Sequence, residues 1–293
     1  MEILSYLVNG ISLGSIYAII ALGYTMVYGI AKMLNFAHGD VIMVGGYVIF
    51  VTTSSMGLSP LIAVALAVVL CTILGVTIEK IAYSPLRTAP ALAVLITAIG
   101  VSYFLQNLAL IIFGAGVNSF TSVVNLNPLS LFDGKITISG ETQVTIVSCI
   151  IIMIALTTFV NKTKTGRAML AVSEDKGAAV LMGINVNKTI AITFAIGSAL
   201  AAIAGALMCS AYPSLTPYTG SMPGIKAFTA AVFGGIGSIP GALIGGLLLG
   251  IIEIFGKAYI SSQLADAIVF MVLILVLIIK PTGILGRKIQ EKV

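Results

Sequence analysis

Charged residues are scarce in this sequence, and long stretches of it contain none. Asp, Glu, Lys and Arg make up 9% of the 293 residues, hydrophobic residues make up 59%, and the mean hydropathy is +1.14. A soluble domain has about 25% charged residues, because water must wet its surface. The shortage excludes a soluble globular domain and predicts an integral membrane protein.

The residues that many enzymes need are also rare. His38 is the only histidine, which argues against a histidine zinc site and against a Ser-His-Asp triad. No Gly-x-x-x-x-Gly-Lys-Ser/Thr loop occurs, and Pro240 stands where a dinucleotide-binding loop would continue with glycine after Gly235 and Gly237. The cysteines lie in apolar stretches without the spacing of a metal or redox site: Cys71, Cys149 and Cys209. We expect no catalytic residue, no metal and no cofactor, so any coupling to ATP must come from a partner.

The uncharged stretches are long enough to cross a membrane. A helix needs about 20 apolar residues to cross a hydrocarbon core about 30 Å thick, and its backbone groups are paired internally. A transmembrane barrel would instead show alternating segments of about 10 residues. The sequence predicts an all-α polytopic transmembrane bundle in one domain, 1–293, with about 7–9 spans that include a glycine-broken or re-entrant segment. The candidate helices are Leu4–Ile30, Val41–Met56, Leu61–Ile78, Ala91–Phe113, Val144–Val160, Thr189–Tyr212 and Leu264–Ile279, and the interrupted stretch Lys226–Phe255 precedes the last of them.

Glycines break the apolar pattern in Lys226–Phe255. Gly234, Gly235 and Gly237 are interpreted as helix-packing or helix-breaking positions, and they are also candidates for the translocation pathway. At the end of this stretch, Glu253 and Lys257 are four residues apart and positioned to pair on one helix face.

A second break, 34–40, carries three polar side chains: Asn35, His38 and Asp40. Polar groups inside a membrane are costly unless they are paired or face water, so these residues are candidates for the translocation pathway. At the edge of the membrane they would only cap helices, and the sequence leaves both interpretations open. Two broken segments in opposite halves are typical of inverted-repeat transporters, although packing glycines in loops explain them equally well.

Basic loops orient the chain, because the cytoplasmic loops of membrane proteins carry an excess of Lys and Arg. The basic segments are 79–90, 161–188 and 280–293. We therefore place these three in the cytoplasm and 114–143 outside. Alternation of the helices then predicts an external N-terminus, a cytoplasmic C-terminus and an even number of crossings in 226–255. The net charge of +5 arises from these loops and does not indicate nucleic-acid binding.

The longest polar cytoplasmic segment, 161–188, also contains two groups of apolar residues at helical spacing. Glu174 and Asp175 precede the second of these groups, at a position where a helix N-terminus favours anions, and Gly183 follows that group as a stop signal. A short amphipathic helix of this kind is suited to dock in a groove of a partner. The alternative is a solvated loop that lies on the membrane surface.

Three long blocks resemble the LivH-type permeases of branched-chain amino acid ABC importers. They are LNFAHGDVIMVGGY (34–47), GRAMLAVSEDKGAAVLMGINVNK (166–188) leading into TFAIGSALAAIAGAL (193–207), and AFTAAVFGGIGSIPGALIGGLLLGIIE (227–253). The middle block resembles the family's cytoplasmic coupling loop, a divergent Glu-Ala-Ala loop whose spacing here departs from the strict motif. The residues that this resemblance assigns to ATPase coupling are Arg167, Glu174, Asp175, Ala178, Ala179 and Gly183.

The resemblance implies a transport subunit that does not hydrolyse ATP itself. Its partners would be a second related permease, two cytoplasmic ATPase subunits and an extracytoplasmic substrate-binding protein, all at a bacterial-type inner membrane. Together they would move branched-chain amino acids inward by alternating access. A permease of the same family for another small polar solute (urea, an amide or another amino acid), a channel-like facilitator and an ion-coupled secondary transporter are the alternatives.

Overall fold

A computed structural model of the chain describes residues 2–131 and 136–286. Within these residues, eleven α-helices and four short strands follow one another. The helices are α1 (Glu2–Ala31), α2 (His38–Ser54), α3 (Pro60–Ile78), α4 (Ala91–Phe113), α5 (Gly140–Lys162), α6 (Lys164–Glu174), α7 (Lys176–Leu181), α8 (Val186–Ala211), α9 (Ser221–Gly234), α10 (Ile239–Tyr259) and α11 (Ala265–Ile279). The strands are β1 (Asn118–Ser119), β2 (Leu129–Leu131), β3 (Ile136–Ile138) and β4 (Ser214–Leu215). The predicted all-α bundle is confirmed.

In the described part of the chain, six helices are long and apolar enough to cross a membrane: α1, α3 with its π and 3-10 extension to Leu86, α4, α5, α8 and α10. The apolar α11 is shorter, with 15 residues. The strands form only two antiparallel pairs, β1 with β4 and β2 with β3. The chain is therefore a multi-pass membrane protein in which the strands merely tie loops together.

The predicted break in Lys226–Phe255 is confirmed. Helix α9 ends at Gly234 and α10 begins at Ile239, where the Ser238 side chain accepts a hydrogen bond from the Gly241 N–H at 3.2 Å. Between them, Gly235 and Gly237 have φ angles of 106° and 91°, in the left-handed region that favours glycine. The turn folds α9 back on α10 as a helical hairpin.

Small residues let the inner helices approach closely. A Cβ built on Gly14 of α1 would lie 2.7 Å from the Leu247 Cα of α10, and one built on Gly45 of α2 would lie 3.0 Å from the Ala202 Cα of α8. Any side chain there would push the helices apart. The outer helices α3, α4, α5 and α11 instead expose large apolar side chains, as expected for surfaces that face lipid.

The basic segments gather at one end of the bundle. Arg87, which follows α3, donates a hydrogen bond to Asn187 at the start of α8. Lys176 of α7 donates to the Ala31 carbonyl at the end of α1, at 3.0 Å. Ile284 N–H bonds the Phe233 carbonyl at 2.9 Å, which brings residues 280–286 to the α9–α10 turn. We name this the basic end and the opposite one the far end. The C-terminal Arg287, Lys288 and Lys292 lie outside the described residues.

Candidate transport site and coupling surface

Four charged side chains and a tyrosine form an ion network between α1, α9, α10 and α11. Glu253 lies at its centre and is 1% exposed. Its Oε1 accepts from Lys226 Nζ at 2.9 Å and from Lys257 Nζ at 2.6 Å, and its Oε2 accepts from the Tyr17 hydroxyl at 2.8 Å. Lys226 Nζ also lies 2.6 Å from Asp266 Oδ1. The predicted Glu253–Lys257 pair is confirmed, and it is one side of a larger cluster.

Lys226 was not singled out from the sequence as a member of this network. The signal was present, because Lys226 and Glu253 interrupt an otherwise uncharged sequence between Lys188 and Lys257. Ionisable residues of opposite charge within membrane spans are usually paired. What the sequence did not supply was the hairpin that brings α9 onto α10.

A cavity of about 350 Å³ adjoins the network. Tyr17, Glu253 and Lys257 form part of its wall, together with the polar Ser214, Thr216 and Thr219 and the apolar Leu13, Ile16, Met208 and Pro223. Tyr212, just after the C-terminal end of α8, also lines it, whereas the N-terminal end of α8 lies at the basic end. An α-helix rises about 1.5 Å per residue, so the 26 residues of α8 separate the two ends by most of a membrane thickness. The cavity therefore lies at the far end.

The polar residues of the first break are buried but do not line this cavity. Asn35 accepts from the Tyr83 hydroxyl at 3.0 Å, and Asp40 accepts from Gln106 Nε2 at 2.9 Å. His38 packs edge-on against Tyr24, with ring centroids 4.6 Å apart, and its Nε2 has no hydrogen-bond partner among the described residues. The structure thus brings Asn35, His38 and Asp40 into the protein interior, and their role in transport stays a prediction.

The glycines of the second break allow backbone segments to pack closely. Gly234 packs against Gly241 across the hairpin, and Gly235 packs against Leu285 and Gly286. Gly237 approaches Gly29 of α1. These contacts agree with the packing and breaking roles, and a contact of these glycines with substrate stays a prediction.

The predicted coupling segment forms two helices joined at Asp175. Thr163 caps α6 by accepting from the Gly166 N–H at 2.9 Å, and Asp175 caps α7 by accepting from the Ala178 N–H at 3.0 Å. Met169 and Val172 of α6 are fully buried, so α6 is fixed to the bundle. Gly183, with φ +78°, follows the C-terminal end of α7. The expected amphipathic helix and glycine stop are confirmed.

An apolar surface on this segment is exposed and is not covered by any of the residues that the structure describes. Leu181 and Met182 are 89% and 81% exposed, and Val180 beside them is also exposed. Arg167, Glu174, Asp175, Ala178 and Gly183 of the same segment are also exposed, and Ala179 is buried. We call Val180, Leu181 and Met182 the coupling surface. An exposed apolar patch rimmed by polar residues is typical of a protein interaction site.

The coupling segment is tied to the transmembrane helices through Lys176. Burial, with a further contribution from the charges of Arg87 and Lys32, lowers the pKa of Lys176 below its ordinary value. A smaller cavity of about 240 Å³ lies beside these three cations. Within the described residues, no group of three His, Cys, Asp or Glu side chains stands close enough together to hold a metal ion.

Comparison with known proteins identifies the family. The family described as "Branched-chain amino acid transport system / permease component" matches residues 6–277. The chain is 46% identical to the high-affinity branched-chain amino acid transport system permease protein LivH of Escherichia coli (strain K12), over 99% of this chain and 97% of that protein. It is 45% identical to the corresponding permease protein BraD of Pseudomonas aeruginosa, over 99% and 98% of the two chains. A probable branched-chain amino acid transport permease protein LivH of Methanocaldococcus jannaschii is 30% identical over 93% and 89%. The chain therefore belongs to the family of permease components of branched-chain amino acid transport systems.

Proposed function

We propose that this chain is the membrane-spanning permease subunit of an ATP-driven ABC importer that moves branched-chain amino acids into the cytoplasm. The observation that carries the ATP-driven part is the uncovered coupling surface at the basic end. The described residues contain many apolar side chains that lipid would cover, but Leu181 and Met182 lie in a charged segment outside the spans. A soluble partner with an apolar groove is the occupant that fits this position.

The partners in this proposal are two cytoplasmic ATPase subunits, a second related permease and an extracytoplasmic binding protein. The chain would sit in a bacterial-type inner membrane, with its N-terminus outside and its basic end in the cytoplasm. Support for this orientation comes from Lys32, Arg87 and Lys176, which lie together at that end, since cytoplasmic loops are rich in Lys and Arg.

Coupling would proceed from α7 to the spans. Movement of an ATPase against the coupling surface would displace α7, whose Lys176 is bonded to the end of α1 at 3.0 Å. Helix α1 packs on α8, α9 and α10 and also carries Tyr17 of the ion network. A displacement of α1 could favour one pore state only if the ATPase interacts differently with the two states.

Uptake by reconstituted proteoliposomes tests the proposal. With all partner subunits, radiolabelled leucine, isoleucine and valine should accumulate when ATP is supplied, and a hydrolysis-inactive ATPase should abolish accumulation. Uptake by this chain alone along an ion gradient would indicate a secondary transporter. Equilibration without accumulation would indicate a channel-like facilitator. Either result would overturn the proposal.

A further inference from the structure

We propose that the far-end cavity binds the amino-acid substrate, with its charged groups at Lys257 and Glu253 and its side chain against Leu13, Ile16 and Met208. This inference rests on the proposed function and adds the site within the chain where the substrate is held. It is carried by the lining, the charge balance and the position of the cavity.

The cavity wall combines the polar and the apolar surface that a branched-chain amino acid needs. Charged and hydroxyl groups come from α10 and from residues 214–219, and apolar side chains come from α1 and α8. The volume of about 350 Å³ lies within the range of about 300–1,000 Å³ that is typical of small-molecule sites. A solute with charges at one end and a hydrocarbon at the other matches this division of the wall.

The ion network is balanced, which favours a zwitterion over a simple ion. Lys226 and Lys257 carry two positive charges, and Glu253 and Asp266 carry two negative charges. A lone cation or anion would leave an uncompensated charge beside the buried Glu253, which is costly. A zwitterion adds no net charge, so it can exchange partners with the network without this penalty.

Unused hydrogen-bonding capacity remains on both groups that line the cavity. Lys257 is 40% exposed and pairs only with Glu253 among the described residues, although an ammonium group has three donors. Glu253 accepts three hydrogen bonds of about four that a carboxylate can accept. The substrate carboxylate would bind Lys257, and its ammonium group would bind Glu253. Lys226 is held by two carboxylates and has the structural role of fixing Glu253 in place.

The position of the cavity suits delivery of the substrate. It lies at the far end, opposite the coupling surface, and therefore on the side where an extracytoplasmic binding protein would release its ligand. Tyr17 belongs both to the cavity wall and to α1, the helix whose other end is bonded to Lys176. Helix α1 therefore connects the cavity to the coupling segment.

Thiol protection in the assembled complex tests the site. Ser214→Cys places a thiol in the cavity wall, and the chain's own Cys71, Cys149 and Cys209 are buried. Leucine should slow maleimide labelling at position 214 about tenfold when its concentration is about ten times Kd, because only the empty cavity is labelled. Gln263→Cys, an exposed position in the same far-end loop region, is the matched control and should label at the same rate with and without leucine.

Analogues and one further variant define the roles of the charges. 3-Methylbutylamine lacks the carboxylate and 4-methylpentanoate lacks the ammonium group, so each should protect position 214 far less than leucine. Lys257→Met in the Ser214→Cys background should remove protection by leucine. Equal labelling with and without leucine, or equal protection by leucine and 3-methylbutylamine, would overturn the assignment. ATP-driven leucine uptake by the complex with the unsubstituted chain is measured in parallel. Uptake by that complex without protection at position 214 refutes this site alone, whereas no uptake by that complex refutes the proposed function.

Discussion

Lys226 and Glu253 are 27 residues apart in the sequence, yet the lysine Nζ lies 2.9 Å from the glutamate Oε1 in the protein interior. The α9–α10 hairpin creates this contact. Tyr17 and Lys257 also bond to Glu253, and Asp266 also pairs with Lys226. The network therefore joins α1, α9, α10 and α11 at the far end. Its contribution to stability and its proposed role in transport can be tested separately.

Removing Lys226 should destabilise the bundle. Lys226→Met takes away the buried cation that pairs with two carboxylates and leaves Lys257 to balance both of them. Breaking a fully buried pair costs about 3–5 kcal/mol, so the free energy of unfolding, measured by denaturation in mixed micelles, should fall by up to about that amount. Lys257→Met is the control, because its side chain is 40% exposed and a pair of this kind contributes at most about 1 kcal/mol. Equal losses in the two variants would contradict a structural role for Lys226.

The contact between α1 and α10 should be sensitive to a single methyl group. A Cβ on Gly14 would lie 2.7 Å from the Leu247 Cα, so Gly14→Ala should lower the free energy of unfolding by about 1–3 kcal/mol through overpacking. Gly100→Ala of α4 is the matched control, because a Cβ at Gly100 has no heavy atom within 4 Å. Thermal unfolding of both variants in detergent checks this prediction. A Gly14→Ala midpoint at or above that of Gly100→Ala would count against the packing described.

Much of the fold was predictable because the membrane imposes a simple rule on the sequence. The predicted helix Ala91–Phe113 has the bounds of α4, and the glycine break in Lys226–Phe255 was located from residues that favour a left-handed backbone. Of the network around Glu253, only the pair with Lys257, four residues away on the same helix, was predictable from the sequence. Lys226 and Tyr17 reach Glu253 through the packing of separate helices, and no local pattern encodes that packing.

In the coupling segment, too, local features were predictable from the sequence and the packing of the helices was not. Its amphipathic character, the anionic N-terminus of α7 and the glycine stop were all predicted, because each depends on neighbouring residues. That α6 would bury Met169 and Val172 while α7 would leave Leu181 and Met182 exposed was not predicted. The sequence pattern is the same for an apolar group that meets the bundle and for one that awaits a partner.

Lys176 should be needed for coupling more than for docking. Lys176→Met removes the hydrogen bond to the Ala31 carbonyl and with it the connection between α7 and α1. The number of leucine molecules transported per ATP hydrolysed should fall, whereas the amount of ATPase bound should stay the same. Lys164→Met, at an exposed lysine of α6, is the matched control. An unchanged transport ratio in Lys176→Met would show that this bond does not carry the coupling.

Adding or reversing a charge on the coupling segment should weaken ATPase binding. Leu181→Asp places a carboxylate at a side chain that is 89% exposed, so folding should be unaffected while affinity falls about tenfold or more. Glu174→Lys and Gly183→Asp should act in the same direction, and all three proteins should still insert in the membrane. Co-purification of the ATPase measures the effect. Met56→Asp, at an exposed apolar position of the far end, serves as the control, and normal ATPase recovery with Leu181→Asp would argue against this surface.

Cross-linking from Leu181→Cys tests the central claim most directly, namely that a partner's ATPase acts on the segment 161–188. A short bifunctional thiol-to-amine reagent, applied to the assembled complex, should join position 181 to the ATPase subunit, and Met56→Cys at the far end should give no such product. The yield should also change between the nucleotide-free and ATP-bound complexes, because the ATPase is expected to move this segment. A cross-link to the ATPase from position 56 but none from position 181 would contradict the account.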